Sequence, residues 1–434
     1  MRGRSPCFES WKGGAMMINY RSRWTVFLIL FLVVSACDTS RNVEPRFQNY
    51  FVKYFGDEGD QSAADLIVNS DGSMVLLGNS VLPAGNKSPF LVHLNPVGDI
   101  VWELTFGENE TAVDIEAIHR GAHQGGFVIV SNLGDIEHSR IRIWRISPGG
   151  SVIDSVTITD QNPDAVTQIA RSITSLTGRD GFVVTGSADA AFTVETSPEI
   201  IAPSDSDILA LYIDDTFSVV ENIVSKGGEM NGSGVRVFEM PDSPDNQFVL
   251  FSYTDRPFRT NAFGYNFSYD IISSGVPIGQ LIGSEEDREV LATVIKTPLI
   301  LGEGFLMVGT SLSGSSSQGD IYLVKFNSSF EYKSFDKKVE LGINIECVSA
   351  AVAPSGYYVL SNEIVDASVK NILLTKMTSD GNVEWVRSFG AQDSEDTASA
   401  IHTLPDGRIA IVGTMQLKTR RKMALIVVNS NGAF

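Results

Sequence analysis

Seven short apolar runs recur along the chain, and each contains a Gly or Ser near its end. These marker residues are separated by 53, 55, 66, 57, 52 and 52 positions. They are Gly78, Ser131, Gly186, Ser252, Gly309, Ser361 and Gly413. A recurring period of this size is typical of repeat proteins in which each unit is one small sheet.

Turn signals and further apolar runs surround each copy. The preceding turn often reads Asp-Gly or Gly-Gly, as at 71–72, 125–126, 180–181 and 406–407, and such pairs favour hairpins. Another apolar run lies before each turn, and a third and a fourth follow the marker. Four short strands per unit without helical periodicity predict the blades of a β-propeller.

Both chain ends carry parts of the same unit. Fourth strands end in an aromatic residue, three residues and Phe-Gly, as in 102–107 and 385–390, and 51–56 has the same spacing. The last unit stops before its own fourth strand. We therefore predict an all-β, seven-bladed β-propeller of four-stranded blades over 47–434, closed by an N-terminal strand that completes the last blade. A β-solenoid or two β-sandwiches are the alternatives, but neither explains the shared strand.

One repeat unit fits the pattern poorly. The segment 268–279, in the fourth unit, departs most from the others and has no Trp. Its strand register therefore stays open at this stage.

The N-terminal region predicts a targeting signal. Residues 24–34 form an apolar run of eleven, too short to cross a bilayer, which needs about 20. Basic residues precede it, as in a signal peptide that begins at Met16 or Met17. An uncleaved anchor or a buried short helix is the alternative.

The run ends in Val-Ser-Ala-Cys at 34–37, which resembles the lipobox of bacterial lipoproteins. The resemblance implies that Cys37 becomes the lipid-bearing mature N-terminus. Residues 1–36 are then the signal, 37–46 a tether and 47–434 the propeller.

The repeat pattern also resembles the propeller lipoproteins of bacterial envelopes, a similarity that covers nearly the whole mature chain and is nearly silent on activity. Asp38 resembles an inner-membrane retention signal of enteric bacteria, a rule that does not hold across phyla. We expect a membrane-anchored protein of the bacterial envelope, and we favour the outer membrane over the inner membrane as its location.

Charge excludes one class of partner. The chain has 33 basic and 52 acidic residues, a net charge of −19. Nucleic-acid binders carry a basic face, so nucleic acid is not expected as a partner. Without residues 1–36, Cys347 is the only cysteine besides Cys37, which leaves no intramolecular disulfide.

Acidic residues cluster where a fourth strand leads into the next first strand, on the propeller face that usually binds ligands. They attract cations or a basic partner, or they cap turns through their side chains. The candidate residues are Asp60, Glu110, Asp164, Asp287 and Asp396.

A long insertion at 255–269 combines arginines with aromatic residues, which are good anchors for a sugar ring or a protein. Its alternating aromatic residues are equally typical of a half-buried strand. The candidate contact residues are Arg256, Phe258, Arg259 and Tyr265.

No motif in the chain indicates a reaction. There is no calcium loop, nucleophile elbow or phosphate-binding loop, and His119 and His123 fall in an expected turn, so neither a metal nor a cofactor is predicted. The sequence favours a non-catalytic module that binds an envelope protein or a glycan. The alternative is a carbohydrate-active enzyme that uses two carboxylates.

Overall fold

The computed structural model describes residues 49–81, 85–134, 139–158, 167–188, 207–225, 232–240, 247–255, 266–273, 276–284, 287–313, 318–330, 333–391 and 393–434. Within these ranges the chain forms seven four-stranded antiparallel sheets arranged as a ring, which confirms the predicted seven-bladed β-propeller.

Blades 1 to 6 each use four strands in chain order, with the first strand at the central channel. Blade 1 comprises β2 (Gln61–Val68), β3 (Met74–Val81), β4 (Lys87–Leu94) and β5 (Ile100–Thr105). Blade 2 comprises β6 (Glu110–Ala117), β7 (Phe127–Leu133), β8 (Arg140–Ile146) and β9 (Val152–Thr157). Blade 3 comprises β10 (Gln168–Ser175), β11 (Phe182–Ala188), β12 (Asp207–Ile213) and β13 (Val219–Ser225). Blade 4 comprises β14 (Gly232–Glu239), β15 (Phe248–Thr254), β16 (Asn266–Ser273) and β17 (Val276–Ile282). Blade 5 comprises β18 (Asp287–Thr297), β19 (Gly304–Ser313), β20 (Gly319–Asn327) and β21 (Lys333–Val339).

The ring closes in the seventh blade. Blade 6 comprises β22 (Ile345–Ala353), β23 (Gly356–Ile364), β24 (Lys370–Thr378) and β25 (Val383–Phe389), and blade 7 comprises β26 (Thr397–Thr403), β27 (Ile409–Leu417), β28 (Arg420–Val428) and β1 (Phe51–Phe55). The N-terminal strand β1 pairs antiparallel with β28, from Phe51 opposite Val427 to Phe55 opposite Met423. The predicted terminal closure is therefore present.

Every first strand contains the same irregularity. In blade 1 the register shifts between Ala63 and Asp65, and in blade 2 it shifts between Ala112 and Asp114. The other blades shift at the equivalent points. Such β-bulges bend a strand and re-aim its side chains. Here they direct the residues after the bulge into the channel.

The bulges also join neighbouring blades. Asn79 of blade 1 accepts a hydrogen bond from the Ala112 backbone N–H at 2.7 Å and donates to the Ala112 carbonyl at 3.2 Å. Asn132 makes the same pair of bonds to Ala170, at 2.8 and 3.2 Å. Thr310 and Asn362 accept from the equivalent N–H of the next blade.

The marker residues found in the sequence lie opposite these bulges. A Cβ at Gly186 would lie 1.9 Å from the carbonyl oxygen of Ile169, and one at Gly78 would lie 2.4 Å from that of Ser62. The close approach of the two strands explains the recurring small residue.

Blade 4 is a regular four-stranded sheet despite its divergent sequence. Aromatic packing joins it to blade 5, with Phe251 of blade 4 in one cluster with Phe305 and Phe330 of blade 5, and ring centroids 5.2 Å apart for the last two. Phe267 and Tyr269 are buried in β16, so these two members of the alternating aromatic series belong to the core.

Candidate functional site

The propeller has two faces with different connections. The loop face carries the connections from each fourth strand to the next first strand, together with those from second to third strands. The turn face carries the turns between first and second and between third and fourth strands. The first strands line the channel between them.

Glu110, one of the predicted loop-face residues, is buried, with 1% of its surface exposed. Its carboxylate accepts hydrogen bonds from the Ser131 hydroxyl and from Trp144 Nε1, the latter at 3.0 Å. Arg142 Nη1 lies 3.4 Å from its other oxygen. The side chain therefore ties three strands of blade 2 together.

Asp396 is buried to the same degree. It accepts hydrogen bonds from the Ala391 N–H at 2.9 Å, the Ser394 hydroxyl at 2.6 Å and the Gln416 N–H at 2.8 Å. These bonds shape the connection into β26, so all of its contacts are internal.

Asp60 and Asp287 are more accessible. Asp60 is exposed and accepts a hydrogen bond from the Arg421 N–H at 3.0 Å. Asp287 is half-buried and pairs with Lys338 at 3.1 Å. The remaining candidates, Cys37, Asp164, Arg256, Phe258, Arg259 and Tyr265, lie outside the described residues, and their roles stay predictions.

Three other loop-face carboxylates are exposed. Glu58, Glu108 and Asp393 lie in the connections that enter blades 1, 2 and 7, which are neighbours in the ring. Among the described residues, no hydrogen bond or salt bridge reaches their carboxylates. They form an open acidic arc.

The channel has a volume of about 770 Å³ and holds a polar cluster that the sequence analysis did not single out. Asp65 and Asp114 follow the bulges of blades 1 and 2 and are hydrogen-bonded to each other. Burial, and then the neighbouring Asp114 charge, raise the pKa of Asp65 well above its usual value. The pair therefore retains a proton at pH values where an ordinary Asp is ionised.

Each of these carboxylates also holds the next blade. Asp65 Oδ2 accepts from the Ile115 N–H at 3.2 Å, and Asp114 Oδ2 accepts from the Ile173 N–H at 2.7 Å. The two side chains thus join blades 1, 2 and 3 around the channel.

Arg236, at the equivalent position of blade 4, completes the cluster. Its guanidinium lies 3.2 Å from Asp114 Oδ2 and 2.7 Å from Glu116 Oε2. His119 Nε2 lies 3.8 Å from the other oxygen of Glu116. Although burial raises the pKa of Glu116, the bond to His119 and the charge of Arg236 lower it overall.

Two further basic groups face the channel. Lys296 Nζ lies 5.2 Å from the ring centroid of Phe238, and His402 lies nearby on β26. Within the described ranges, no group of three or more His, Cys, Asp or Glu side chains is placed to hold a metal ion.

The channel cluster did leave a signal in the sequence. Asp65 and Asp114 each follow an Ala by two residues, at the same point of their repeats, and Arg236 occupies that point in blade 4. Aligning the repeats on this position would have placed the three side chains on one ring. Their contacts depend on the fold.

Comparisons with known proteins add the fold alone. No protein-family model matches the chain, and no curated protein sequence matches it. Among solved structures, the β-propeller domain of the trilobed protease from Pyrococcus furiosus is 12% identical, with a TM-score of 0.46, covering 88% of this chain and 96% of that one. A glucose dehydrogenase is 10% identical, with a TM-score of 0.40, covering 87% and 99%. An α-L-arabinofuranosidase from Fusarium graminearum is 10% identical, with a TM-score of 0.41, covering 86% and 94%.

Within the described ranges, no helix has both the length and the apolar character required to traverse a bilayer.

Proposed function

We propose that this protein is a lipid-anchored, non-catalytic binding or scaffold module of the bacterial cell envelope. Its loop face recognises a basic surface on another envelope protein, or a glycan. The observation that carries the proposal is the acidic arc of Glu58, Glu108 and Asp393, whose carboxylates are exposed and have no partner among the described residues.

The other polar groups support a non-catalytic role. Glu110 and Asp396 are committed to internal bonds, and Asp65 and Asp114 join blades. These groups maintain the ring, while the arc is free to meet a partner. Charge complementarity at such a face raises the association rate and selects the partner.

The test is a pull-down from solubilised envelopes with the full-length protein, analysed by mass spectrometry beside a glycan array. The decisive variant carries Glu58→Gln, Glu108→Gln and Asp393→Asn. The matched control carries Glu103→Gln, Glu303→Gln and Asp380→Asn, which removes the same charge from exposed sites away from the loop face.

The arc variant is expected to bind the captured partner roughly tenfold more weakly, because three rim charges contribute about 0.2–1 kcal/mol each. The control is expected to bind normally. Equal binding by both variants would remove the acidic arc from the interface.

Membrane attachment is proposed to depend on lipid at Cys37. We expect the wild-type protein to stay with membranes through a high-salt wash, because acyl chains rather than charges hold it. The Cys37→Ser variant is expected to be released. Its retention would contradict the lipoprotein assignment.

A carbohydrate-active enzyme is the alternative, and one observation favours it. Asp65 and Asp114 form an acid–carboxylate pair beside a channel large enough for a small ligand. However, glycosidases keep their two carboxyl groups about 5–9.5 Å apart, whereas these two are hydrogen-bonded to each other. The enzyme would be favoured if the wild-type protein cleaved a glycan that it binds on the array, and if the Asp114→Asn variant folded but did not cleave it.

A further inference from the structure

Two neighbouring side chains on the turn face are unusually exposed. Leu299 and Ile300 have 81% and 83% of their surface exposed, more than any other large hydrophobic residue among the described ranges. They lie in a short 3-10 helix, Leu299–Leu301, within the turn between β18 and β19 of blade 5. Adjacent apolar residues at this exposure mark a surface that meets something other than water.

The turn holds this pair in place. Leu301 is buried, its N–H donates to the Pro298 carbonyl at 2.9 Å, and the Gly302 N–H donates to the Leu299 carbonyl at 3.0 Å. The Thr297 hydroxyl donates to the Gly302 carbonyl at 2.7 Å, and Lys325 donates to the Leu301 carbonyl. Because these bonds fix the backbone, Leu299 and Ile300 project as a rigid apolar tip.

The N-terminal end of the ring enters on the same face. Arg408 lies in the turn between β26 and β27, and its Nη1 donates to the Asn49 carbonyl at 2.9 Å. Only eleven residues lie between Cys37 and Asn49. Even fully extended, that length of chain spans about 40 Å. A lipid on Cys37 would therefore hold the turn-face end of β1 within about 40 Å of the membrane.

The acidic arc of Glu58, Glu108 and Asp393 lies on the loop face, opposite the apolar tip.

We propose that the turn face docks on a lipid bilayer, with Leu299 and Ile300 inserted into the headgroup region. The inference rests on the proposed lipid anchor at Cys37. The lipid supplies attachment, and the apolar tip sets orientation, which points the loop face and its acidic arc away from the membrane towards a partner.

Fluorescence quenching by lipid tests the orientation. Full-length lipidated protein is reconstituted on the outside of vesicles of phosphatidylethanolamine and phosphatidylglycerol that contain a nitroxide-labelled lipid. A fluorophore is placed through Glu303→Cys, in the same turn as the tip, or through Glu108→Cys on the loop face. Both sites are exposed glutamates, so the substitutions match in charge. Cys347 stays unlabelled because it is buried, and burial raises the pKa of its thiol to about 12.

The label at 303 is expected to be quenched at least threefold more than the label at 108. Adding Leu299→Ser and Ile300→Ser is expected to remove that difference, while the protein still sediments with the vesicles. Both replaced side chains are exposed, so the fold is not at risk.

The outcomes separate the two proposals. Equal quenching at 303 and 108 in sedimenting protein would overturn the docking and leave the anchor intact. Failure of the wild-type protein to sediment would overturn both. In the absence of vesicles, the protein could have twice the mass of one chain, with the label at 303 already shielded from water. That result would show that a second copy covers the tip, and it would also overturn docking on lipid.

Discussion

The Thr414 hydroxyl oxygen accepts a hydrogen bond from the Ala63 backbone N–H at 3.0 Å, across 351 positions of sequence. Thr414 belongs to the last blade and Ala63 to the first, so the bond crosses the seam of the ring. It repeats the contact that Asn79 makes with Ala112 between blades 1 and 2. The seam is therefore built like an ordinary blade boundary, with β1 added as the outer strand.

Replacing the Thr414 hydroxyl is expected to weaken the seam. Thr414→Val keeps the shape but leaves the half-buried Ala63 N–H without its acceptor, which costs about 1 kcal/mol. Thr414→Ser retains the acceptor and is the control. The measurement is the urea midpoint of unfolding, and equal midpoints for the two variants would show that the bond does not stabilise the ring.

Removing the closing strand is expected to cause self-association. A protein that lacks residues 1–56 loses β1 and exposes the edge of β28, which invites pairing between chains. A protein that lacks only residues 1–46 retains the strand and is the control. Light scattering at increasing concentration measures the difference, and a monodisperse protein without β1 would contradict the closure role.

Glu110 is expected to matter for stability and not for partner binding. Glu110→Ala removes the acceptor of Trp144 Nε1 and the Ser131 hydroxyl inside blade 2, at a cost of about 1–3 kcal/mol. Its urea midpoint should fall, while the folded protein retains affinity for any captured partner. Glu103→Gln, at an exposed position of β5 away from the loop face, is the control, and loss of affinity specific to Glu110→Ala would restore Glu110 to the binding face.

Glu289 occupies the position of Glu110 in blade 5 but lacks its partners. It is 99% buried, since 1% of its surface is exposed. One oxygen accepts from the Ser284 N–H at 3.2 Å, and the other has no partner among the described residues. Burial raises the pKa of Glu289 to about 8, so the folded protein holds its proton at neutral pH.

The consequence is a specific pH dependence. The unfolded chain releases this proton near the ordinary pKa of 4.5, and the folded chain releases it near 8. Between these values wild-type stability should fall by about 1.4 kcal/mol per pH unit relative to Glu289→Gln, which cannot ionise. Urea midpoints from pH 5 to 8 measure this, and parallel curves for the two proteins would rule out the buried proton.

Much of the fold could be predicted because its signals are local. Apolar runs, Gly and Ser markers and Asp-Gly turns are properties of adjacent residues, and the apolar runs with their markers recur seven times. Even the terminal closure could be read, because Phe51–Gly56 repeats the spacing of Trp102–Gly107. The candidate site was less predictable. Glu110 and Glu108 are two residues apart, yet one is buried and the other exposed. Charge alone does not distinguish them, because burial depends on which neighbouring strand supplies partners.

The sequence by itself determined the number of blades, the strand that closes the ring, the acidic character and the candidate lipid anchor, since each is encoded in contiguous patterns. Only the tertiary structure decided which carboxylates face a partner and which hold the ring. Asp65, Asp114 and Arg236 lie in three different repeats, and their interactions exist only because seven bulged strands converge on one channel. The same holds for Leu299 and Asn49, which share a face through the alternating direction of the strands. Distances between repeats depend on how the blades pack around the ring, and that information is not local.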